Sequence, residues 1–275
     1  MWEIALGLLL TALTLASCGD SGTSDGDEPA TSSGSNSSSQ VSSSSVMPEV
    51  SSSSSILSCT NTYGENTVTD CRDGQTYKTV VIGTQTWMAE NLNYSGDDSS
   101  GNRTYTKGWC YGVGGEDTTN HSDSTTCDTY GRFYNWTDAM GISQSYLRTT
   151  WDSIDTVNHQ GICPFGWHVP TNAEWNTLVN FLGGTDTAGY FLKSTSGWYS
   201  SGNGSDAFGF SARPAGGRDL SGDWYNQGSE AYFWSTSEYS ASFARSRYLY
   251  YYYTYFSAGS YYKNRAFSLR CSKNR

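Results

Sequence analysis

The aromatic residues of this chain are almost confined to its C-terminal four fifths. Its 275 residues include 41 aromatics (10 Trp, 21 Tyr and 10 Phe), and after Trp2 the first of them is Tyr63. The 16 Lys and Arg residues all lie beyond residue 71. A segment without large apolar side chains cannot offset the entropy lost on ordering, so only residues 59–275 are expected to fold. Roughly 217 residues suit one large β-rich domain.

The net charge of the chain is −10, and it is shared unequally between the two parts. Six of the 26 acidic residues precede residue 59, which leaves 20 acidic and 16 basic residues in the folded part. Binding to a phosphate backbone needs clustered Lys and Arg, so we expect no nucleic-acid partner.

The N-terminus has the pattern of an export signal. The apolar run from Ile4 to Ala16 is too short to span a membrane and has the length of a signal-peptide core. It leads into Leu15-Ala16-Ser17-Cys18, which resembles the bacterial lipobox, although the usual basic residue near the start is missing. We predict a signal peptide at residues 1–17 and a lipid attached to Cys18, which would anchor the chain in a lipid bilayer. The alternative is a short buried helix with an ordinary cysteine.

The residues after Cys18 predict where the chain is delivered and how its domain is held. In lipoprotein sorting, Asp directly after the lipidated Cys favours the inner membrane; here that residue is Gly19, which favours the outer membrane or the cell surface. Residues 19–58 contain 18 serines and no aromatic residue, which is typical of a disordered tether. A flexible coil of this length spans roughly 35 Å. We therefore predict a lipidated Cys and tether over residues 18–58 and one domain over residues 59–275.

The remaining six cysteines form an even set, as expected of an exported protein with disulfide bonds. They allow 15 connectivities. Local closure favours Cys59–Cys71 and Cys110–Cys127, each around a short polar loop, which leaves Cys163 with Cys271. The alternative is zinc binding, but the chain has no CxxC motif and its three His residues are scattered, so we predict no metal site from the cysteines.

The folded part combines short strands with two helices and predicts an α+β fold. The clearest signal is a capping box, Thr171 with Glu174, which starts a helix that Gly183 ends. A second, short helix is predicted between Tyr130 and Met140, one helical turn over Met88–Leu92, and a long loop over residues 93–127. Predicted strands, most of them antiparallel, cover residues 74–82, 83–87 after a turn, Ala207–Ala212, Tyr232–Ser235, Arg245–Phe256 and Arg265–Cys271.

Six sequence blocks resemble the Fibrobacter succinogenes major paralogous domain family. They occur in order over about 200 residues: DGQTYKTVVIGTQTWMAENLNY (73–94), YGRFYNW (130–136), CPFGWHVPTNAEW (163–175), FSARPAGGR (210–218), YFWSTSE (232–238) and FSLRC (267–271). The resemblance implies an exported, Ser-linked lipoprotein. It also implies a distant similarity to the C-type-lectin-like fold of the sulfatase-modifying factors, whose helix-opening PTEAEW motif is similar to PTNAEW. A long-range disulfide is common in that fold and would match Cys163–Cys271.

No catalytic residue is assigned from the sequence. Formylglycine-generating chemistry needs a close-set reactive Cys pair, which the last strand lacks. Glycoside hydrolysis needs two carboxylates across a sugar bond. The sequence offers five but cannot place two of them together: Glu174, Asp219, Asp223, Glu230 and Glu238. His168 has no GxSxG partner and is interpreted as a packed, hydrogen-bonded residue. An exported enzyme of the sulfatase-modifying-factor-like fold, or a glycan hydrolase, stays as an alternative.

Two acidic clusters raise the question of calcium. Residues 203–206 and 219–223 carry Asp and Asn oxygens of the kind that calcium prefers. The alternative, turns stabilised by Asx hydrogen bonds, is favoured, and no cofactor is predicted.

A tyrosine-rich segment is the main candidate for a binding site. Eight of the 21 tyrosines lie within residues 248–262. With Leu249 directed inward, a strand places Tyr251 and Tyr253 inside and Tyr248, Tyr250 and Tyr252 outside. An exposed tyrosine row suits sugar rings or protein recognition, whereas cross-strand aromatic pairing would only stabilise a hairpin.

We therefore expect a membrane-anchored lipoprotein, facing the surface or the periplasm, that displays a lectin-like binding or adhesion domain. Its expected ligand is a polysaccharide or another surface protein. A structural surface protein without a small ligand is the remaining alternative.

Overall fold

The computed structural model describes residues 59–96, 108–112, 125–151 and 157–275. The predicted signal peptide, Cys18 and the Ser-rich tether lie outside the described residues, so the domain boundaries at residues 17 and 58 stay predictions. None of the helices in the described ranges is both long and apolar enough to cross a membrane.

The described residues form an α+β fold with short helices and many short strands. The strands are β1 (Thr62–Gly64), β2 (Thr67–Thr69), β3 (Thr76–Ile82), β4 (Gln85–Met88), β5 (Phe133–Tyr134), β6 (Trp167–His168), β7 (Gly217–Arg218), β8 (Trp224–Tyr225), β9 (Glu230–Ser240), β10 (Phe243–Tyr250), β11 (Phe256–Tyr262), β12 (Phe267–Ser268) and β13 (Ser272–Lys273). The α-helices are α1 (Thr125–Tyr130), α2 (Trp136–Met140), α3 (Asn172–Phe181) and α4 (Thr185–Leu192), and 3-10 turns cover Gln144–Leu147 and Tyr199–Ser201.

The strands form two main sheets and one small ribbon. The first sheet has the order β1-β2-β3-β4-β13-β6, the second has the order β11-β10-β9-β12-β5, and β7 pairs with β8. All strand pairs are antiparallel except β12 with β9. The predicted mostly antiparallel α+β fold is confirmed.

Two large groups of buried aromatic side chains form the core. One surrounds Trp175, whose ring lies 4.5 Å from that of Trp87 and 5.6 Å from that of Phe256. The other includes Trp234 and Phe267, with ring centroids 4.5 Å apart. The strand β9 separates the two groups, because Phe233 faces the first and Trp234 the second.

Three disulfides join the six cysteines of the domain. They connect Cys59 with Cys71, Cys110 with Cys127 and Cys163 with Cys271, which are the pairs favoured by the sequence. The last of them links residues 108 apart in the chain, and both of its cysteines are completely buried. It attaches the segment before β6 to the segment before β13.

Helix α3 confirms the capping-box prediction. The Thr171 hydroxyl accepts from the Glu174 backbone N–H at 3.1 Å, and the Glu174 carboxylate accepts from the Thr171 backbone N–H at 2.8 Å. Gly183, with φ of +90°, follows the last turn as predicted.

Two of the predicted helical segments are wrong in whole or in part. Residues 88–92 form no helix, because the Met88 and Leu92 backbone N–H groups donate to the carbonyls of Cys271 and Leu269, at 3.0 and 2.9 Å. The helix predicted over residues 130–140 begins only at Trp136. Phe133, which falls within the predicted helix, lies in β5 and pairs with Trp109.

Three further predictions need correction. Residues 207–212 are not a strand, because Ser211 has φ of +54° and donates its backbone N–H to the Asp206 carboxylate. The strand predicted over Arg265–Cys271 is the two-residue β12, with the separate β13 after it. Two helices were predicted, whereas the described residues contain four. Helix α4 was missed because Gly184 at its N-terminus provides no side-chain cap and Gly189 lies within it.

Candidate ligand-binding surface

The tyrosine-rich segment forms the end of the β10–β11 hairpin. One strand over residues 245–256 was predicted, but β10 ends at Tyr250. The Tyr251 backbone N–H donates to the Ser229 carbonyl at 2.7 Å, and the Tyr253 N–H donates to the Tyr250 carbonyl at 3.2 Å. These bonds turn the chain, so residues 251–255 form a tyrosine-rich connection between two strands.

The turn changes which tyrosines are exposed. Leu249 is buried, as expected, with Tyr248 and Tyr250 on the opposite face of β10. Tyr251 is half-buried and packs against the Trp175 core group. Tyr253, which was expected inside, is 49 % exposed, because the alternation of a strand no longer applies beyond Tyr250.

Four tyrosines line a groove of about 310 Å³ at this end of the hairpin, together with one serine: Tyr248, Tyr250, Tyr253, Tyr255 and Ser257. The rings of Tyr253 and Tyr255 are stacked at 5.3 Å with an interplanar angle of 4°. The Tyr250 ring lies 5.8 Å from that of Tyr253. The groove therefore offers aromatic faces and hydroxyl groups, and none of the described residues that line it carries a charged side chain.

The predicted row of Tyr248, Tyr250 and Tyr252 is thus brought together only in part. Tyr248 and Tyr250 line the groove, whereas Tyr252 is 71 % exposed beside it, with its ring 5.2 Å from that of Tyr253. Tyr253 and Tyr255 were missed. Residues 248–256 contain no Gly, Pro, Asn or Asp, so no turn signal marked the place where the strand ends.

A buried lysine holds the backbone of the hairpin end. The Lys193 ammonium donates to the carbonyls of Gly202, Tyr250, Tyr251 and Tyr253 at 2.8, 3.3, 3.2 and 2.9 Å. Burial lowers the pKa of Lys193 to about 8. The three tyrosine carbonyls are held around one charged group, which fixes the backbone from which the groove side chains project.

Two glycines let the neighbouring segments approach this backbone closely. A Cβ atom on Gly189 of α4 would lie 2.5 Å from the Thr254 carbonyl oxygen and 2.6 Å from that of Tyr255. A Cβ on Gly202 would collide with the Tyr251 carbonyl. The Thr254 hydroxyl also donates to the Asp186 carbonyl at 2.6 Å. The groove is therefore built on a connection fixed from two sides, which reduces the entropy lost when a ligand binds.

Glu230 provides negative charge next to the groove. It lies directly opposite Tyr250 across the β9–β10 pair, and it accepts a hydrogen bond from the Tyr232 hydroxyl. Burial raises the pKa of its carboxyl, and a hydrogen bond from Asn226 lowers it less. A polyanionic ligand in the groove would meet this carboxylate, whereas a neutral ligand would not be repelled.

His168 and Glu174 have a structural role. His168 is 1 % exposed, and its ring nitrogens contact the Asn274 side-chain oxygen at 2.7 Å and a Glu174 carboxylate oxygen at 2.8 Å. Burial opposes ionisation of Glu174, but hydrogen bonds from His168 and Thr171 lower its pKa. Both groups are thus used to fix the start of α3.

The other carboxylates singled out in the sequence are also held by structural contacts. Glu238 pairs with the fully buried Lys263 and accepts from the Trp151 backbone N–H at 3.1 Å. Asp219 accepts from the backbone N–H groups of Ser221 and Asp223 at 3.0 and 2.9 Å. These are the hydrogen bonds of a turn.

The second acidic cluster, residues 203–206, is likewise bonded within the fold. The Asp206 carboxylate accepts from the backbone N–H and the hydroxyl of Ser211, and the Asn203 side-chain oxygen accepts from the Trp198 backbone N–H. Across the described ranges, no group of three or more His, Cys, Asp and Glu side chains is placed to hold a metal ion.

Comparison with known proteins identifies the family of the chain. Neither the curated proteins nor the solved structures give a match. A family model described as the Fibrobacter succinogenes major domain matches residues 80–273, which include all strands from β4 to β13 and all four helices. The chain belongs to the Fibrobacter succinogenes major domain family.

Proposed function

We propose that the domain is a binding module that holds an uncharged polysaccharide in the tyrosine groove. The observation that carries this proposal is the groove itself, in which four phenol rings surround about 310 Å³ on a fixed backbone. Sugar rings have apolar C–H faces that stack on aromatic rings, while tyrosine hydroxyls can bind the sugar hydroxyls.

The exposure of these rings supports a ligand. Tyr253 and Tyr255 are 49 % and 45 % exposed, and their parallel rings lie side by side at the surface. Clustered exposed aromatics are typical of a binding surface, whereas single exposed ones need no explanation. Tyrosine also supplies a large contact area at low entropic cost.

The sequence of the N-terminus supports a location for the proposed binding module. We infer that a lipid on Cys18 anchors the chain and that residues 19–58 hold the domain away from the membrane, at the outer membrane or the cell surface. The proposed distant similarity to the C-type-lectin-like fold, which depends on the PTNAEW helix start, the closing LRC strand and the long-range disulfide, agrees with a binding role.

Direct titration with glycans tests the proposal. The full chain carrying Cys18→Ser, which leaves the six other cysteines to pair among themselves, is titrated with soluble glucan, xylan and mannan oligosaccharides by calorimetry. It is also incubated with insoluble cellulose. We expect saturable binding to at least one neutral glycan, with affinity about fivefold lower after Tyr250→Ala or Tyr253→Ala, because each lost ring contact is worth about 1 kcal/mol.

Tyr239→Ala is the matched control, because Tyr239 is 60 % exposed and does not line the groove. It should bind like the parent chain. Absence of binding to every neutral glycan would refute the polysaccharide proposal. If the groove variants instead abolished adhesion to another surface protein, the groove would be a protein-binding site. Unchanged adhesion in all variants would favour the structural alternative.

A further inference from the structure

A second cavity, of about 170 Å³, shares no lining residue with the tyrosine groove. Its lining comes from the start of β3, the segment after β4, helix α1 with the residue that follows it, residues 211–213 and the C-terminal region. The residues that matter for its chemistry are Glu90, Asn93, Asp128, Arg213 and Arg270.

Arg270 brings a buried positive charge to this cavity. Its side chain is almost completely buried, and its Nε donates to the Asn91 side-chain oxygen at 2.7 Å. The Nη1 atom donates to the carbonyls of Met88 and Phe210, and Nη2 donates to that of Ser211 at 3.0 Å. A guanidinium has five N–H groups, so these bonds leave one, on Nη2, without an acceptor in the described part of the chain.

This charge has no carboxylate in contact among the described residues. Glu90 uses an oxygen to accept from the Lys78 backbone N–H at 2.8 Å, and Asp206 accepts from Ser211, so both act on Arg270 only over a distance. Burial lowers the pKa of Arg270 to about 9. A buried charge that only amide and carbonyl dipoles balance is stabilised when an anion binds beside it.

A second arginine lies at the same cavity. Arg213 is exposed, it makes no side-chain hydrogen bond or ion pair within the described ranges, and its charge further disfavours the charged form of Arg270. Two guanidinium groups that repel each other across a cavity are both stabilised by one anion between them.

The cavity also contains acceptor groups, which require hydrogen-bond donors from a ligand. The Asn93 side-chain oxygen is buried and has no hydrogen-bond donor in the described ranges, and Glu90 and Asp128 add carboxylate oxygens. These groups need donors. A simple anion supplies none and is repelled by the two carboxylates, whereas a ligand with hydroxyl groups satisfies them.

We propose that this cavity binds an acidic sugar, a hexuronate, whose carboxylate lies at Arg213 and Arg270 and whose hydroxyls donate to Asn93 and the carboxylates. The cavity of about 170 Å³ is smaller than the pockets of about 300–1,000 Å³ that hold drug-sized ligands, which limits its ligand to the size of one sugar ring. This site differs from the proposed polysaccharide groove in both position and charge.

The test uses the full chain with Cys18→Ser and galacturonate as the probe. We expect saturable binding by calorimetry, at least tenfold tighter than that of galactose, which lacks the carboxylate. Arg213→Gln should weaken binding at least tenfold, and Arg148→Gln, which changes an exposed arginine that does not line the cavity, should leave it unchanged. Asn93→Ala should weaken galacturonate binding but not the binding of inorganic sulfate, because sulfate has no hydroxyl group to donate.

Several results would overturn the proposal. These are no saturable binding of galacturonate, equal binding of galactose, or an unchanged affinity in Arg213→Gln. Sulfate binding as tight as that of galacturonate would also overturn it, because the hydroxyls would then contribute nothing.

Two further measurements distinguish binding at this cavity from binding in the tyrosine groove and identify the source of the sugar. Tyr250→Ala should leave galacturonate binding intact even if the polysaccharide proposal fails. A linear trimer of galacturonate that binds more tightly than the monomer identifies the end of an acidic polysaccharide as the source, and equal binding identifies the free acid.

Discussion

Removal of the long-range disulfide should destabilise the domain far more than removal of a short one. Cys163 and Cys271 close a loop of 108 residues, whereas Cys59 and Cys71 close one of 12. By the chain-entropy relation these loops correspond to about 4.8 and about 2.8 kcal/mol of unfolding free energy. Both cysteines of the long-range bond are fully buried, so replacing them with alanine also leaves a cavity, which lowers the free energy of unfolding further. Replacing the half-buried Cys59 leaves a smaller cavity.

Guanidinium unfolding followed by tryptophan fluorescence measures this difference. The full chain with Cys18→Ser is compared with its Cys163→Ala/Cys271→Ala and Cys59→Ala/Cys71→Ala derivatives, which make the same chemical change. We expect the first pair to lose at least about 2 kcal/mol more than the second. Equal losses, or a larger loss for the short loop, would refute the assignment of stability to loop closure.

Three other substitutions test separate parts of the fold. Gly189→Ala in α4 should displace the hairpin end and lower the free energy of unfolding by about 1–3 kcal/mol, because its methyl group would press on the Tyr255 carbonyl. Thermal unfolding measures the loss of stability and glycan titration measures the displacement; unchanged glycan affinity would contradict this prediction. Burial raises the pKa of Asp73 to about 6, above the unfolded value, so wild-type stability should fall as the pH rises from 4 to 6. Asp73→Asn should remove that dependence and be more stable at pH 7, and parallel unfolding curves at pH 4 and 7 decide the point. Thr171→Ala should cost about 1 kcal/mol through loss of the capping box with Glu174, measured by the same unfolding assay; no loss would show that the cap is replaceable.

Local sequence signals predicted the parts of the fold that depend on local interactions. Thr171 and Glu174 are three residues apart, so their reciprocal hydrogen bonds follow from the helix geometry alone. The class of the fold follows in the same way from short alternating strands and the helix that starts after Thr171. In contrast, Met88 and Leu92 look helical, but their backbone donors pair with residues more than 170 positions later in the chain. No local pattern shows that pairing.

The candidate site could be predicted only to the level of the tyrosine segment. The sequence indicates the clustering of Tyr248 and Tyr250 and the inward position of Leu249, because both depend on strand alternation. The turn after Tyr250 depends on Ser229 and Lys193, which lie far away in sequence and contain no signal for this contact. The Arg270 cavity was not predicted at all, because its groups come from five separate segments.

The position of β13 in the first sheet sets the order in which that sheet can form. Strands β1 to β4 pair with their neighbours in sequence, but β6 joins the sheet only through β13, where Ser272 lies between Trp87 and His168. Contacts between residues so far apart in sequence form slowly, because a large loop must close first. The hairpins of β1–β4 can therefore assemble early. The free edge of β4, which carries hydrophobic residues, is paired only after the C-terminal region has been made. Until β13 pairs with β4, this edge is open to pairing with another chain, and the arrival of β13 closes it.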